Sequence, residues 1–151
     1  MKKYDYFLSY NEEDLRFEFD MLINCRAGIE EYGSGLFLHN LCLEGLLLHT
    51  RRLIEAFHLC KLDKKWEKRR GSIANHLSHA NPRNRSAARA KMKENPGWDM
   101  NEYYDELLKA IRIVADQHKT EYAHYKLLLG MLTDAKRNGS AADTGPSIDI
   151  P

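Results

Sequence analysis

The chain has 151 residues, 43% hydrophobic and 30% charged, with a formal net charge of +1. That is enough for one domain with its own core, and the composition is that of an ordinary globular protein. Three cysteines without a CxxC spacing exclude a disulfide framework and a zinc knuckle, and read as small buried hydrophobes.

The charge is unevenly distributed. Residues 61–93 hold 11 Lys/Arg against 2 Asp/Glu, whereas residues 1–60 and 94–151 each hold 6 against 10. A basic middle lies between two acidic flanks, which sets up a surface field. The start, "MKKYDYFLSYNEED", has no long apolar run, so no signal peptide is expected and a cytoplasmic location is. The apolar run Gly35–Leu48 is interrupted by His39, Asn40 and Glu44, so no membrane span is expected.

Residues 1–11 read as an N-terminal arm, with "YDYFLSY" at Tyr4–Tyr10 either extended or a lead-in to the first helix. The first helix starts after Asn11, an N-cap residue, with Glu12, Glu13 and Asp14 in the first turn, where acids suit the helix dipole. Leu15, Phe19, Leu22 and Ile29 carry the helical period, and "YGSG" at Tyr32–Gly35 stops it. A second helix is predicted over Leu36–Leu62, ~40 Å long. It is apolar on almost every side, which marks a central helix covered by its neighbours.

In the basic segment, Ser72–His79 reads as a short helix capped by Ser72, Ser86–Met92 as another, and "NPRNR" as a turn. From a cap at Asp99, the stripe Met100, Tyr103, Tyr104, Leu107, Leu108, Ile111, Val114, His118, Tyr122, Tyr125, Leu129 and Leu132 runs to about Arg137. It is either one long helix or two collinear ones broken near Lys119–Thr120. Residues 139–151 read as a disordered tail. The expected fold is all-α: a single up-down bundle over residues 12–138, with three long helices plus one or two short ones in a basic insertion.

"LLLHTRRLIEAFH" (Leu46–His58) places charge inside the most apolar stretch. On a continuous helix Arg51, Glu55 and His58 share one face, and His49 and Arg52 share another. Buried charge must be paired or must face a cavity or a partner. His49, Arg51, Arg52 and Glu55 therefore form a polar stripe, read either as an Arg51–Glu55 ion pair beside a satisfied His49, or as the lining of a subunit groove. No metal or cofactor is expected: Glu-x-x-His occurs once, as Glu121–His124, and no acid or cysteine completes the His76/His79 pair. Phosphate-cradling glycine loops and a Gly-x-Ser-x-Gly elbow are absent. The basic segment offers a nucleic-acid surface of Lys64, Lys65, Lys68, Arg69, Arg83 and Arg85, with Trp66 as an aromatic for stacking on a base.

Three arginine–histidine clusters recur at four-to-six-residue separation: Arg51/Arg52 to His58, Arg69/Arg70 to His76, and Arg112 to His118. With "NLCLEGLLLHTRRLIEAF", "RRGSIANHLSH" and "WDMNEYYDELLKAI", residues 12–118 resemble the HEPN (higher eukaryotes and prokaryotes nucleotide-binding) superfamily, in an uncharacterised bacterial branch. The resemblance implies a dimeric helical bundle that binds RNA, and a metal-independent ribonuclease of toxin or phage-defence type with an antitoxin or other protein partner. It implies Arg70 as phosphate ligand and His76 as general acid or base, with His79 as a second. Beside it stand two other readings. One is a non-enzymatic dimeric helical interaction module. The other is a bundle that anchors a small ligand on the His49–Arg51/Arg52 stripe.

Overall fold

The computed structural model describes residues 7–33, 36–78 and 100–138. Among them the chain is all-helical, with no strand. A 3-10 turn at Phe7–Ser9 leads into α1 (Glu12–Glu31), α2 (Phe37–Ala56), α3 (Leu59–Leu62), α4 (Lys64–Ser78), α5 (Met100–Gln117) and α6 (Tyr125–Asn138). The expected caps at Ser72 and Asp99 differ in outcome: Ser72 lies inside α4, and Asp99 lies outside the described residues, as does Ser86–Met92.

The N-cap of α1 forms as its sequence requires. The Asn11 Oδ1 accepts the Asp14 backbone N–H at 2.8 Å, and Arg16 reaches back one turn to Glu12 at 2.7 Å. Leu15, Phe19 and Leu22 are buried on one face. The helix ends where the Tyr32 N–H returns to the Gly28 carbonyl.

The first two helices pack as a tight hairpin through reciprocal notches. Gly45 receives the Cys25 side chain, so a Cβ at Gly45 would lie 2.6 Å from Cys25 Sγ. Gly28 receives Cys42 in the same way. Neither glycine has a positive φ; what each contributes is the missing Cβ that lets the backbones approach.

The single long second helix predicted over Leu36–Leu62 is two helices. α2 stops at Ala56, and His58 adopts the left-handed conformation (φ 52°), the only positive φ at a non-glycine among the described residues. A left-handed residue just past a helix is a common stop, and histidine is among the side chains that tolerate it. The break lets Phe57 and Leu59 both turn inward, where Phe57 stacks on Phe7 with ring centroids 4.8 Å apart. After α3, the Asp63 carboxylate accepts the Lys65 N–H at 3.0 Å and starts α4. α4 thus begins eight residues before the expected Ser72 cap. It seats Trp66 and Ile73, two turns apart, in the core.

The closing stripe is also two helices, separated by turns at residues 118–124, and they are not collinear: the turns fold α6 back against α5. The Tyr104 hydroxyl donates to the Ala135 carbonyl at 2.7 Å and ties α5 to α6; burial pushes this phenol's pKa far up, against the opposing charge of Arg26. Tyr122, in the connection, donates to the Tyr10 carbonyl at 3.3 Å, so the segment before α1 is tied to the α5–α6 turn. No helix among the described residues is long and apolar enough to cross a membrane.

Candidate functional site

On α2 the charges that interrupt the apolar run are gathered at the α1–α2 seam. Glu18, from α1, meets His49 Nδ1 at 2.7 Å and Arg52 at 3.2 Å. Glu18 and His49 are both buried, whereas the Arg52 side chain is 51% exposed. The exposed Phe17 ring lies edge-on to His49, with centroids 5.7 Å apart. Arg51 pairs with Glu55 at 3.1 Å on the wetted face. His49 is thus a satisfied histidine within a three-residue interhelix network. Glu18, absent from the sequence-derived stripe, is its hub. Only its buried i, i+3/i+4 position among Leu15, Phe19 and Leu22 hinted at this.

On α4 the cations divide. Lys65 and Arg69 both reach Glu106 of α5, Lys65 at 3.2 Å and Arg69 closer still. The Arg69 guanidinium also lies over the Tyr103 ring at 4.0 Å and the Trp66 ring at 4.9 Å, a cation–π contact on two rings. Burial raises the Glu106 carboxyl, but hydrogen bonds and charge from Arg69 and Lys65 outweigh it and hold the pKa below its ordinary value. Trp66 is 2% exposed. It is a core residue and not the stacking platform the basic segment led one to expect, because its i, i+7 partner is the buried Ile73 and the helix has only one apolar face. Lys64, Lys68 and Arg70 remain exposed.

Arg70 and His76 stand six residues apart on this one continuous helix. Regular helical geometry puts them about 120° apart around the axis and ~9 Å apart along it, so α4 does not bring the two side chains together. His76 is half-buried, on the same side as Arg69. His79, Arg83 and Arg85 lie outside the described residues.

The other two arginine–histidine clusters have a joint outcome that sequence spacing could not reveal. Their histidines, His58 and His118, line one pocket of ≈ 260 Å³ with Phe7, Phe57, Lys61, Leu62, Val114 and Gln117. The matching arginines are engaged elsewhere, Arg52 with Glu18 and Arg112 with Asp116 at 3.0 Å. The helix break at Phe57–His58 is what turns His58 toward the end of α5. Among the described residues, no group of three or more His, Cys, Asp or Glu is placed to hold a metal ion.

No family model, curated protein or solved structure matches this chain.

Proposed function

We propose that the protein is a HEPN-like RNA-binding bundle that holds the phosphate backbone along α3 and α4. The observation that carries this is the exposure of Lys61, Lys64, Lys68 and Arg70 within ten residues of chain, with Lys64 and Lys68 one turn apart on the same side of α4, after Glu106 has taken Lys65 and Arg69. In sequence the stretch runs on to Arg83, Arg85, Arg89, Lys91 and Lys93. Exposed cations bind phosphates by releasing condensed counterions, without reading sequence. Binding, rather than cleavage by Arg70 and His76, follows from their divergence on α4.

The test is fluorescence anisotropy with a labelled mixed-sequence single-stranded RNA over a range of salt. Neutralising three phosphates predicts a log–log salt slope of about −2. The triple variant Lys64→Glu/Lys68→Glu/Arg70→Glu should lose that binding; unchanged affinity would rule the reading out. The same RNA incubated in EDTA tests cleavage: products from the wild type that vanish in Arg70→Ala/His76→Ala would restore the catalytic assignment.

A second reading, a self-associating interaction module, is favoured by one specific observation. Among the described residues, six of the eight exposed large hydrophobics (Phe17, Leu36, Phe37, Leu38, Leu41 and Leu48) lie on the α1–α2 hairpin, with Phe37 77% exposed. Phe37, Leu41, Leu48 and Arg52 follow one stripe of α2. The charges on it suit a second copy: an antiparallel crossing centred on Leu48 sets Glu44 of each chain beside Arg51 and Arg52 of the other. Light scattering should then give a dimer for the wild type and a monomer for Leu41→Glu. A monomeric wild type at high concentration would discard this reading.

A further inference from the structure

The pocket at the α2–α3 turn has no role in either reading. It lies between two otherwise separate parts of the chain, the His58–Leu62 turn and the end of α5 at Val114–His118. Among the described residues its titratable lining is basic: His58, Lys61 and His118, with the Gln117 amide beside them. Among the described residues no carboxylate lines it. The back wall is Phe7, Phe57 and Val114, all buried.

The donors are held in place. His118 is fixed on two sides: Nδ1 lies 3.3 Å from Glu121 Oε2, and the ring meets Phe7 edge-on at 5.4 Å. With Nδ1 toward Glu121, Nε2 is the nitrogen able to serve a ligand. His58 Nε2 is buried, so this ring forms wall and not donor. Its left-handed backbone is the device that turns α3 across the mouth. Lys61, on α3, supplies an exposed ammonium at the rim, and its backbone N–H bonds the His58 carbonyl at 2.9 Å, which fixes its place in the turn. A volume of ≈ 260 Å³ is near the lower end of the ~300–1,000 Å³ usual for ligand sites. It is more than a single phosphate group fills, leaving space for the sugar that carries one.

We propose that this pocket is a phosphate-ester binding site, with Lys61 and His118 as its oxyanion ligands and Gln117 as a neutral donor. The ester is either one backbone unit of an RNA or a free phosphomonoester. The RNA source rests on the RNA-binding reading above, whereas the site itself does not. Lys61 would join the two, since Lys64 lies three residues beyond it at the start of α4.

The experiment is a titration of the full chain with 5′-UMP and with inorganic phosphate, followed by calorimetry and by ¹H–¹⁵N NMR. It is repeated in competition with the labelled RNA. Wild type should saturate with 5′-UMP and shift the amides of Lys61, Gln117 and His118. Lys61→Glu and His118→Gln should each weaken binding by about tenfold or more, equivalent to about 1.4 kcal/mol. Gln117→Glu places a like charge at an exposed position and should do the same without disturbing packing. Lys136→Glu, at an exposed cation of α6 outside the pocket lining, should leave 5′-UMP binding unchanged.

If 5′-UMP competes with RNA, and pocket variants weaken both, the site takes an RNA backbone unit. Saturation by 5′-UMP without competition assigns it a free phosphomonoester. Binding of 5′-UMP with no RNA binding at all keeps the site and ends the RNA reading. If neither probe shifts the pocket amides in folded wild type, or if affinity is unchanged in all three pocket variants, the proposal fails, whatever the RNA result.

Discussion

α2 and α4 both carry dense basic sequence, and the fold treats the two differently. On α2, Arg52 and His49 converge on the single buried acid Glu18, and Arg51 takes Glu55. On α4, Glu106 removes only Lys65 and Arg69, leaving Lys64, Lys68 and Arg70 in solvent. Both stretches look like charge looking for a ligand. What separates them is whether a neighbouring helix presents a carboxylate at the right turn. Cation density is therefore a poor guide to a binding surface until the acids opposite have been placed.

The contrast is open to attack in order of effect. Trp66→Ala removes a fully buried indole under Arg69 and should cost about 3–5 kcal/mol in urea unfolding. A cost below about 1 kcal/mol would return Trp66 to the surface and to a stacking role. Glu18→Ala strands a buried His49 and a half-exposed Arg52. It should cost about 2–4 kcal/mol, and a near-neutral result would mean the α2 charges are not consumed at the seam.

Acid should act on α4 before α2 is touched by substitution. The folded-state pKa of Glu106 is depressed below 4.5. Its contribution is therefore fully present above that value and is lost as pH falls through the folded-state pKa. Unfolding free energy measured between pH 6 and pH 3 should drop less steeply in Glu106→Gln than in the wild type; identical pH curves would show that the Lys65–Glu106–Arg69 cluster holds no stability. Smallest of all, Arg51→Ala should change stability by less than about 0.5 kcal/mol, since both partners of that pair are over a third exposed. A loss comparable to that of Glu18→Ala would erase the distinction between seam and surface.

Much of the helical order could be read from the residues. Asn11 caps α1 as its position before three acids predicts, and the 3.6-residue stripe of residues 100–132 marks the face that α5 and α6 bury. The break falls near Lys119–Thr120, one of the two readings the stripe allows, but the halves are not collinear: α6 folds back so that Ala135, near its end, meets Tyr104, near the start of α5. Two features escaped because no local signal encodes them. The stop at His58 carries neither glycine nor proline, and follows from Phe57 and Leu59 both finding core space, a tertiary gain over a continuous helix. α2 was expected to be covered on every side, yet Phe37, Leu41 and Leu48 are exposed; apolarity all round does not say whether the covering surface belongs to the same chain. The site residues were harder still. The spacing of Arg and His identified three clusters, but only the fold shows that His58 and His118 share a pocket while Arg70 and His76 point apart.

The interlocked glycines and cysteines of the hairpin have a practical consequence. Burial pushes the Cys25 thiol pKa up, and its sulfur sits in the Gly45 notch, so no reagent reaches it while α1 and α2 are closed. The rate at which Cys25 is alkylated therefore clocks the separation of these two helices. The half-buried Cys60 supplies an internal reference for reagent strength. A native thiol in one of the two notches of the hairpin thus makes hairpin breathing measurable in the unlabelled protein, and any ligand that clamps the α1–α2 face would register as a slower clock.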